Sequence, residues 1–162
     1  MGSYSRSAPR PSEMLAHVNE ELVRRTIESR FATLLYGVLC DGRLAYASAG
    51  HNPPLIVGQT GVRRLEKGGL ILGAFPDASF EEETVPLDPG DVLVVFSDGI
   101  TEAPSPSGDE FGEERLIASI CAHRQSPPSI LLQRVLASVR GFIEAAEQSD
   151  DLTAMVLRYT GS

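Results

Sequence analysis

The sequence is poor in cysteine and has no long hydrophobic run. Only Cys40 and Cys121 occur among its 162 residues, which argues against a disulfide framework, and the lack of CxxC spacing argues against a zinc site. We expect both thiols to be reduced core residues. No apolar run approaches the about 18 residues that span a bilayer, and the opening "MGSYSRSAPRPSE" has no apolar core of a secretory signal. These deficits predict a cytoplasmic protein with no membrane partner.

Positive charge is also scarce. Lysine and arginine total 14 against 22 aspartates and glutamates, and the net charge of -8 argues against nucleic acid as a partner. A local cationic site for a phosphorylated partner stays compatible with this total. The hydrophobic fraction of 42% is that of a folded domain. We therefore predict a disordered lead-in over residues 1–11 and one domain over residues 12–160.

Hydrophobic patterning predicts a helix, a run of strands, two helices and a last strand. Ser12 is positioned to cap the first helix, and Asp41-Gly42 is a strong signal for a tight hairpin turn. The acidic run Glu81–Glu83 is interpreted as the solvated face of a strand, and "VLVVFS" as a strand covered on both faces. Consecutive hairpins favour a mostly antiparallel sheet covered by helices, which is the α+β class.

Two acidic turns lie next to apolar strands. Asp98 follows "VLVVFS", and Asp150 and Asp151 precede "LTAMVLRY". If these strands are antiparallel neighbours, the end of one lies beside the start of the other, and Asp98 and Asp150 can share a hard cation such as Mg²⁺ or Mn²⁺. Taken alone, however, the pattern fits an ordinary turn and a solvated loop better. Ser97 lacks the GxSxG context of a hydrolase nucleophile, so a serine hydrolase is disfavoured.

Several segments together resemble the PPM-type metal-dependent serine/threonine phosphatases, in their bacterial stage II sporulation protein E-like branch. They are "FATLLYGVLCDGRLAYASAGHNPPLIV", "GGLILGAFPDASFEEETVPLDPGDVLVVFSDGITEAPSPSGDEFGEERL" and "SDDLTAMVLR". The resemblance runs from about Leu15 to Tyr159. It implies an αββα sandwich, in which two antiparallel sheets pack face to face with helices outside, and this agrees with the element order above.

The resemblance also implies the chemistry and the site. Two Mn²⁺ or Mg²⁺ ions would activate a water for attack on phosphorus, with no phosphoenzyme and no catalytic side chain beyond the metal ligands. By resemblance, Asp98 and Asp150 are metal ligands, Asp151 is a second-ranked ligand, and Gly99 lets the backbone turn tightly beside the ions. The segment "ITEAPSPSGDEFGEERL" would be a recognition surface, and His51 would have a structural role.

One part of the family pattern has no counterpart in this sequence. Relatives carry further metal ligands on a strand that ends in Gly-Gly and Asp and on an Asp-x-Ser-Gly turn, but residues 1–14 contain no Asp. We therefore expect an N-terminally incomplete fold with about half a metal site, which holds one ion or none. We also expect sheet edges that are open to self-association.

Three functional hypotheses follow from the resemblance. The first is a phosphatase domain that acts on phosphoserine or phosphothreonine of a regulatory protein, such as an anti-sigma-factor antagonist, and is weakly active or inactive alone. The second is a catalytically inert, phosphatase-like module that binds a phosphoprotein or a regulatory partner. In the third, another chain completes the half-site. We favour the first as the biochemical class.

Overall fold

In the computed structural model the described residues are 9–25, 31–143 and 151–161. The helices and strands are α1 (Pro11–Arg24), β1 (Leu34–Cys40), β2 (Arg43–Ala49), β3 (Leu55–Val57), β4 (Val62–Arg64), β5 (Gly68–Gly69), β6 (Glu83–Pro86), β7 (Val92–Phe96), α2 (Asp98–Thr101), α3 (Gly112–His123), α4 (Pro128–Ile143) and β8 (Ala154–Arg158). Two compact units alternate along the chain. The first contains the residues up to Pro53 and Glu66–Asp88, and the second contains Pro54–Leu65 and Pro89–Thr160.

The sheet of the first unit is built around β2. Strand β1 pairs antiparallel with the whole of β2, while β6 pairs antiparallel and the short β5 pairs parallel with β2. Asp41 and Gly42 have φ angles of 48° and 67°, so they form the two-residue turn with positive φ that matches strand twist. The hairpin predicted at this dipeptide is confirmed.

Helix α1 covers the first unit's core. Leu15 from the helix is fully buried with Ala47 and Ala49 of β2. Asn19, on the same helix, is also buried, and its side-chain amide donates to Phe75 O and accepts from Gly73 N, at 2.9 and 2.8 Å. The helix thus supplies both an apolar face and a polar anchor for the segment that follows β5.

The helix begins differently from the prediction. Pro11 is its first residue and Arg10 precedes it, so Ser12 lies inside the first turn and is not the cap. The carboxylate of Glu82 accepts hydrogen bonds from Ser12 N and Ser12 Oγ, at 3.1 and 2.6 Å. It also accepts from the Arg10 guanidinium. A residue distant in sequence therefore accepts from one of the helix N-terminal amides, Ser12 N–H, that a local cap would otherwise bind.

The sequence predicted that the acidic run forms a solvated strand face, but its three carboxylates do not share one environment. Glu81 pairs with Lys67 Nζ at 2.8 Å on the surface, whereas Glu83 accepts a hydrogen bond of 2.8 Å from the Tyr46 hydroxyl. Tyr46 is 1% exposed, and burial is the main reason that its pKa rises to about 12. With Glu82 at the start of α1, each of the three carboxylates has a different partner.

The second unit contains an antiparallel sheet in the order β4-β3-β7-β8. Val92, Val94 and Phe96 of β7 are at most 2% exposed, which confirms the prediction of a buried strand. Helices α3 and α4 supply the rest of this core, and their predicted positions are confirmed as far as residue 143, beyond which the predicted end of α4 lies outside the described residues. The unit as described is a sheet with helices packed against it.

Two further details differ from expectation. A one-turn helix, α2, follows β7 where a simple turn was expected. Cys121 is exposed on α3 and Cys40 is half-buried in β1, so neither cysteine is a fully buried core residue. The predicted class, α+β with antiparallel sheets and helices, is confirmed. In the described ranges no helix is both long and apolar enough to cross a bilayer.

Candidate functional site

Strands β7 and β8 bring two of the predicted carboxylates to the same end of the second unit's sheet. The strands are antiparallel neighbours, and Phe96 lies opposite Ala154. Asp98 therefore follows the end of β7 where Asp151 precedes the start of β8. The strand adjacency on which the shared-cation hypothesis depends is therefore present, while the pairing of Asp98 with Asp150 stays a prediction. Asp150, the other predicted ligand, lies outside the described residues.

Ser97 joins the two acidic segments. Its backbone N–H donates to Thr153 O at 3.0 Å, and its Oγ accepts from Thr153 N at 3.2 Å. The same hydroxyl lies 3.1 Å from the carbonyl oxygen of Asp151 and 3.5 Å from that of Thr153, to which it can donate. One side chain thus fixes the backbone before Asp98 against the backbone of Asp151. Sequence reasoning considered Ser97 only as a nucleophile and missed this role.

Asp98 occupies the first position of α2. Its carboxylate is exposed and accepts a hydrogen bond of 3.0 Å from Gly99 N, while its carbonyl oxygen accepts from Glu102 N at 2.8 Å. A carboxylate at a helix start is stabilised by the backbone N–H groups there. The side chain therefore projects from a rigid support and keeps its outer face open to solvent.

The resemblance implies that Gly99 lets the backbone turn tightly beside the ions, and this role stays a prediction. Gly99 is buried within α2 and is not among the glycines with positive φ. The chain reverses by closing a helical turn, with Ile100 N donating to Ser97 O at 3.1 Å. What Gly99 contributes is its N–H group, which orients the Asp98 carboxylate.

The segment between α2 and α3 forms a compact exposed loop. Pro104 and Glu110 pair as an isolated antiparallel bridge, and Ser105 N donates to Asp109 O at 2.8 Å. The Ser107 hydroxyl donates to the Asp109 carboxylate at 2.9 Å. The expected recognition surface is therefore a structured loop, and its assignment to recognition stays a prediction.

His51 fits the structural role that the resemblance gives it. Its Nδ1 atom lies 2.8 Å from Asn52 O, and its carbonyl oxygen accepts a hydrogen bond of 3.2 Å from Ser48 Oγ. These contacts shape the chain after β2. They leave His51 tied to its own turn rather than to a group of acidic residues.

The donor set at the sheet edge suits a hard divalent cation, but only in part. Asp98 and Asp151 are exposed and offer oxygen ligands, which Mg²⁺ and Mn²⁺ prefer. Across the described ranges there is no cluster of three or more His, Cys, Asp or Glu side chains placed to hold a metal. The described residues thus fit the ligand chemistry of one ion that keeps several waters, and they do not supply ligands for two octahedral ions.

Residues 1–160 match the family model of stage II sporulation protein E (SpoIIE). Protein IcfG of Synechocystis sp. is 34% identical over 130 residues, which are 78% of this chain and 20% of that protein. The phosphoserine phosphatase RsbU of Bacillus subtilis is 28% identical over 165 residues, covering 98% of this chain and 48% of RsbU. The chain therefore spans less than half the length of these curated relatives.

Solved structures show the same fold. The SiaA-PP2C domain of Pseudomonas aeruginosa superposes with a TM-score of 0.79 at 20% identity, covering 96% of this chain and 63% of that domain. The SpoIIE phosphatase domain of Bacillus subtilis, from a crystal presoaked with Mn, gives 0.71 at 19% identity, covering 100% of this chain and 75% of that one. Together with the family match, these similarities show that the chain belongs to the stage II sporulation protein E family, within the PPM-type phosphatases.

Proposed function

We propose that this chain is a metal-dependent protein phosphatase domain that hydrolyses phosphoserine or phosphothreonine on a regulatory protein. The observation that carries the proposal is the fixed edge of β7 and β8, where Ser97 holds Asp98 and Asp151 on adjacent segments. Membership of the family and the name of the relative RsbU, a phosphoserine phosphatase, support the reaction class.

Asp98 and Asp151, together with Asp150 from outside the described residues, would hold a Mn²⁺ or Mg²⁺ ion. A divalent cation in such a site activates a water and offsets the negative charge of the phosphoryl oxygens. The protein's own part is to keep the carboxylates in place through α2 and Ser97 and to leave their outer faces accessible. A phosphorylated side chain on another protein can then approach from solvent.

We expect the isolated chain to be weakly active. Two carboxylates can hold one ion whose remaining ligands are waters. They supply too few ligands for two ions, because each octahedral ion needs six ligands and cannot be held by waters alone. An anti-sigma-factor antagonist is the substrate class that the resemblance suggests. The cytoplasmic location stays a prediction from composition.

The first experiment measures Mn²⁺-dependent release of phosphate from a phosphoserine peptide. We expect Asp98→Asn to remove the activity and to weaken Mn²⁺ binding in calorimetry, because an amide is a poorer ligand than a carboxylate. Asp41→Asn is the matched control: it makes the same chemical change in a turn with positive φ that Asn accepts, and it should leave both quantities unchanged. Equal turnover in the Asp98→Asn variant and the parent chain would contradict the metal assignment.

An inert phosphoprotein-binding module is the second candidate, and the small number of clustered carboxylates in the described ranges favours it. The two candidates separate on a simple comparison of the unmodified chain with and without Mn²⁺. Saturable binding of a phosphoserine peptide with no phosphate release, at any Mn²⁺ concentration, would identify the module. Release that scales with Mn²⁺ occupancy would identify the enzyme.

A further inference from the structure

The side chain of Thr153 lies beside the acidic residues of the site and has no part in the backbone contacts that hold them. Leu152, Ala154 and Val156 pack against the core of the second unit. Asp151 and Thr153 alternate with them and are exposed. Side chains two residues apart in an extended segment point to the same face. The Thr153 hydroxyl and the Asp151 carboxylate therefore project from one face of this segment.

Ser97 fixes the backbone of Thr153. The Thr153 N–H donates to Ser97 Oγ at 3.2 Å, and the Thr153 carbonyl oxygen accepts from Ser97 N at 3.0 Å. Ser97 is followed directly by Asp98, the first residue of α2. A β-branched side chain has few allowed rotamers, so a fixed backbone leaves its hydroxyl few positions. The Thr153 hydroxyl is thus held close to both acidic segments.

The neighbouring hydroxyl groups are committed to the protein, whereas that of Thr153 is not. Ser97 Oγ accepts from Thr153 N and lies 3.1 Å from Asp151 O, to which it can donate. Thr101 Oγ1 donates to Asp98 O at 3.2 Å. The Thr153 hydroxyl makes no hydrogen bond to another residue of the described ranges. A hydroxyl has one proton to donate, and at Thr153 that proton is available to a ligand.

The chemistry of a phosphorylated side chain calls for such a donor. A phosphoserine group at neutral pH is mostly doubly ionised, and its oxygens are strong hydrogen-bond acceptors. The ionised carboxylates of Asp98 and Asp151 are also acceptors only. They can hold the cation that offsets the phosphoryl charge, but they cannot donate to a phosphoryl oxygen. A neutral hydroxyl beside them supplies that hydrogen bond without repelling the cation.

We propose that Thr153 is a substrate-binding residue, whose Oγ1 donates a hydrogen bond to an oxygen of the phosphoryl group. This inference rests on the proposed function, because it takes the carboxylates of Asp98 and Asp151 as the place that the phosphoryl group approaches. It goes further by naming a side chain that binds the substrate and not the ion. Loss of the hydroxyl therefore weakens the binding of phosphate and leaves the binding of the cation alone unchanged.

Calorimetry of the full chain with inorganic phosphate, in excess Mg²⁺, tests this role. Thr153→Val removes the hydroxyl and keeps the β-branched shape, so we expect the dissociation constant for phosphate to rise about tenfold and that for Mg²⁺ alone to stay the same. Thr153→Ser keeps a hydroxyl and should bind phosphate nearly as tightly as the parent chain. Thr160→Val is the matched control: it makes the same change at an exposed residue beyond β8, and neither constant should change.

Kinetics on a phosphoserine peptide give a second readout. A group that binds the phosphoryl oxygens equally well in the substrate and in the transition state affects KM and leaves kcat unchanged. We therefore expect Thr153→Val to raise KM about tenfold at constant kcat, and Thr153→Ser to restore KM. A variant that had merely lost part of its fold would differ from the parent in circular dichroism and would not show this separation.

Three results would overturn the assignment of Thr153. They are a parent chain that binds no phosphate in excess Mg²⁺, a folded Thr153→Val variant that binds phosphate as tightly as the parent, and a Thr153→Val variant that loses affinity for Mg²⁺ itself. If Asp98→Asn abolishes phosphate release while Thr153→Val matches the parent, this inference fails and the proposed function stands. If Asp98→Asn leaves release unchanged, the proposed function fails, and phosphate binding by the Thr153 variants decides this inference separately.

Discussion

At the scale of single residues, the hydroxyl of Ser97 is the group that connects the two acidic segments of the site. It makes contacts with two backbone groups of Thr153 and with the carbonyl oxygen of Asp151, while its own residue immediately precedes Asp98. Groups that orient metal ligands from behind contribute strongly to metal affinity, because they remove conformations in which the ligands point elsewhere. If Asp98 and Asp151 bind the ion as proposed, Ser97 would be a positioning residue in this sense.

Replacing Ser97 with Ala should weaken Mn²⁺ binding without removing any carboxylate. We expect a loss of about tenfold in affinity, measured by calorimetry on the folded variant. Ser97→Thr, which keeps the hydroxyl, should restore affinity close to that of the parent. If Ser97→Ala and Ser97→Thr bind Mn²⁺ equally well, the hydroxyl has no role in holding the site.

The sequence predicted that the two acidic segments lie side by side, but not what holds them together. Apolar patterns located β7 and β8, and antiparallel geometry then placed Asp98 beside Asp151. The Ser97 contact depends on residues more than 50 positions apart, and no local pattern marks it. The helical turn after β7 was not predicted, because Asp-Gly after a strand usually forms a simple turn, whereas here α2 begins at Asp98 and buries Gly99.

At the scale of elements, the start of α1 is stabilised by Glu82, the residue that directly precedes β6. Glu82 accepts hydrogen bonds from Ser12 and Arg10, and it thereby satisfies part of the helix N-terminus from 70 positions away. Sequence analysis assigned the cap to Ser12 because a serine before an apolar periodic segment is the usual local signal. A carboxylate supplied through space has no such signal.

Glu82→Ala should destabilise the chain by about 1 kcal/mol, the usual effect of losing a helix cap. The measurement is the free energy of unfolding in urea by circular dichroism. Glu81→Ala is the neighbouring control: Glu81 forms only an exposed ion pair with Lys67, so its loss should have no measurable effect. Equal destabilisation by both substitutions would show that the run acts through its total charge.

The Glu82 contribution should also depend on pH. Burial tends to raise the pKa of this carboxyl, but the hydrogen bonds from Ser12 and Arg10 outweigh it and hold the pKa below 4.5. A lowered pKa in the folded state means that the stabilisation is complete above pH 4.5 and is lost as the pH falls through the folded value. The stability difference between the parent and Glu82→Gln should therefore be larger at about pH 6 than at about pH 3. A difference that grows on acidification would reverse this assignment.

Strands and long helices were the elements that the sequence predicted best. The β1–β2 hairpin, β7, α3 and α4 all have strong periodic patterns or turn signals, and all are present. Helix α2 was missed because one helical turn is too short for a periodic pattern to register. The predicted strand "FEEETVPL" begins only at Glu83, which is the first residue of the segment that pairs with β2, opposite Tyr46.

At the scale of the whole molecule, the two compact units are interleaved in sequence. The β3–β4 hairpin belongs to the second unit although it lies between β2 and β5 of the first. One domain over residues 12–160 stays a prediction, and no change in composition along the sequence marks the points where the chain passes from one unit to the other. Contacts between distant segments slow folding, since loops must close before the contacts form. The chain is thus expected to fold more slowly than a helical protein of equal length.

The three consecutive glutamates also help to fix the register of the sheet in the first unit. Glu81, Glu82 and Glu83 are chemically identical, yet each meets a different receiver: an ammonium group, a helix start and a buried phenol. A slip of β6 by one residue along β2 would separate each carboxylate from its present partner. It would also turn every side chain of the strand to the other face. The three glutamates therefore help to fix the register of β6 as well as contributing charge. An insertion or deletion beside this run should lower the stability of the fold more than a substitution of the solvent-exposed Glu81.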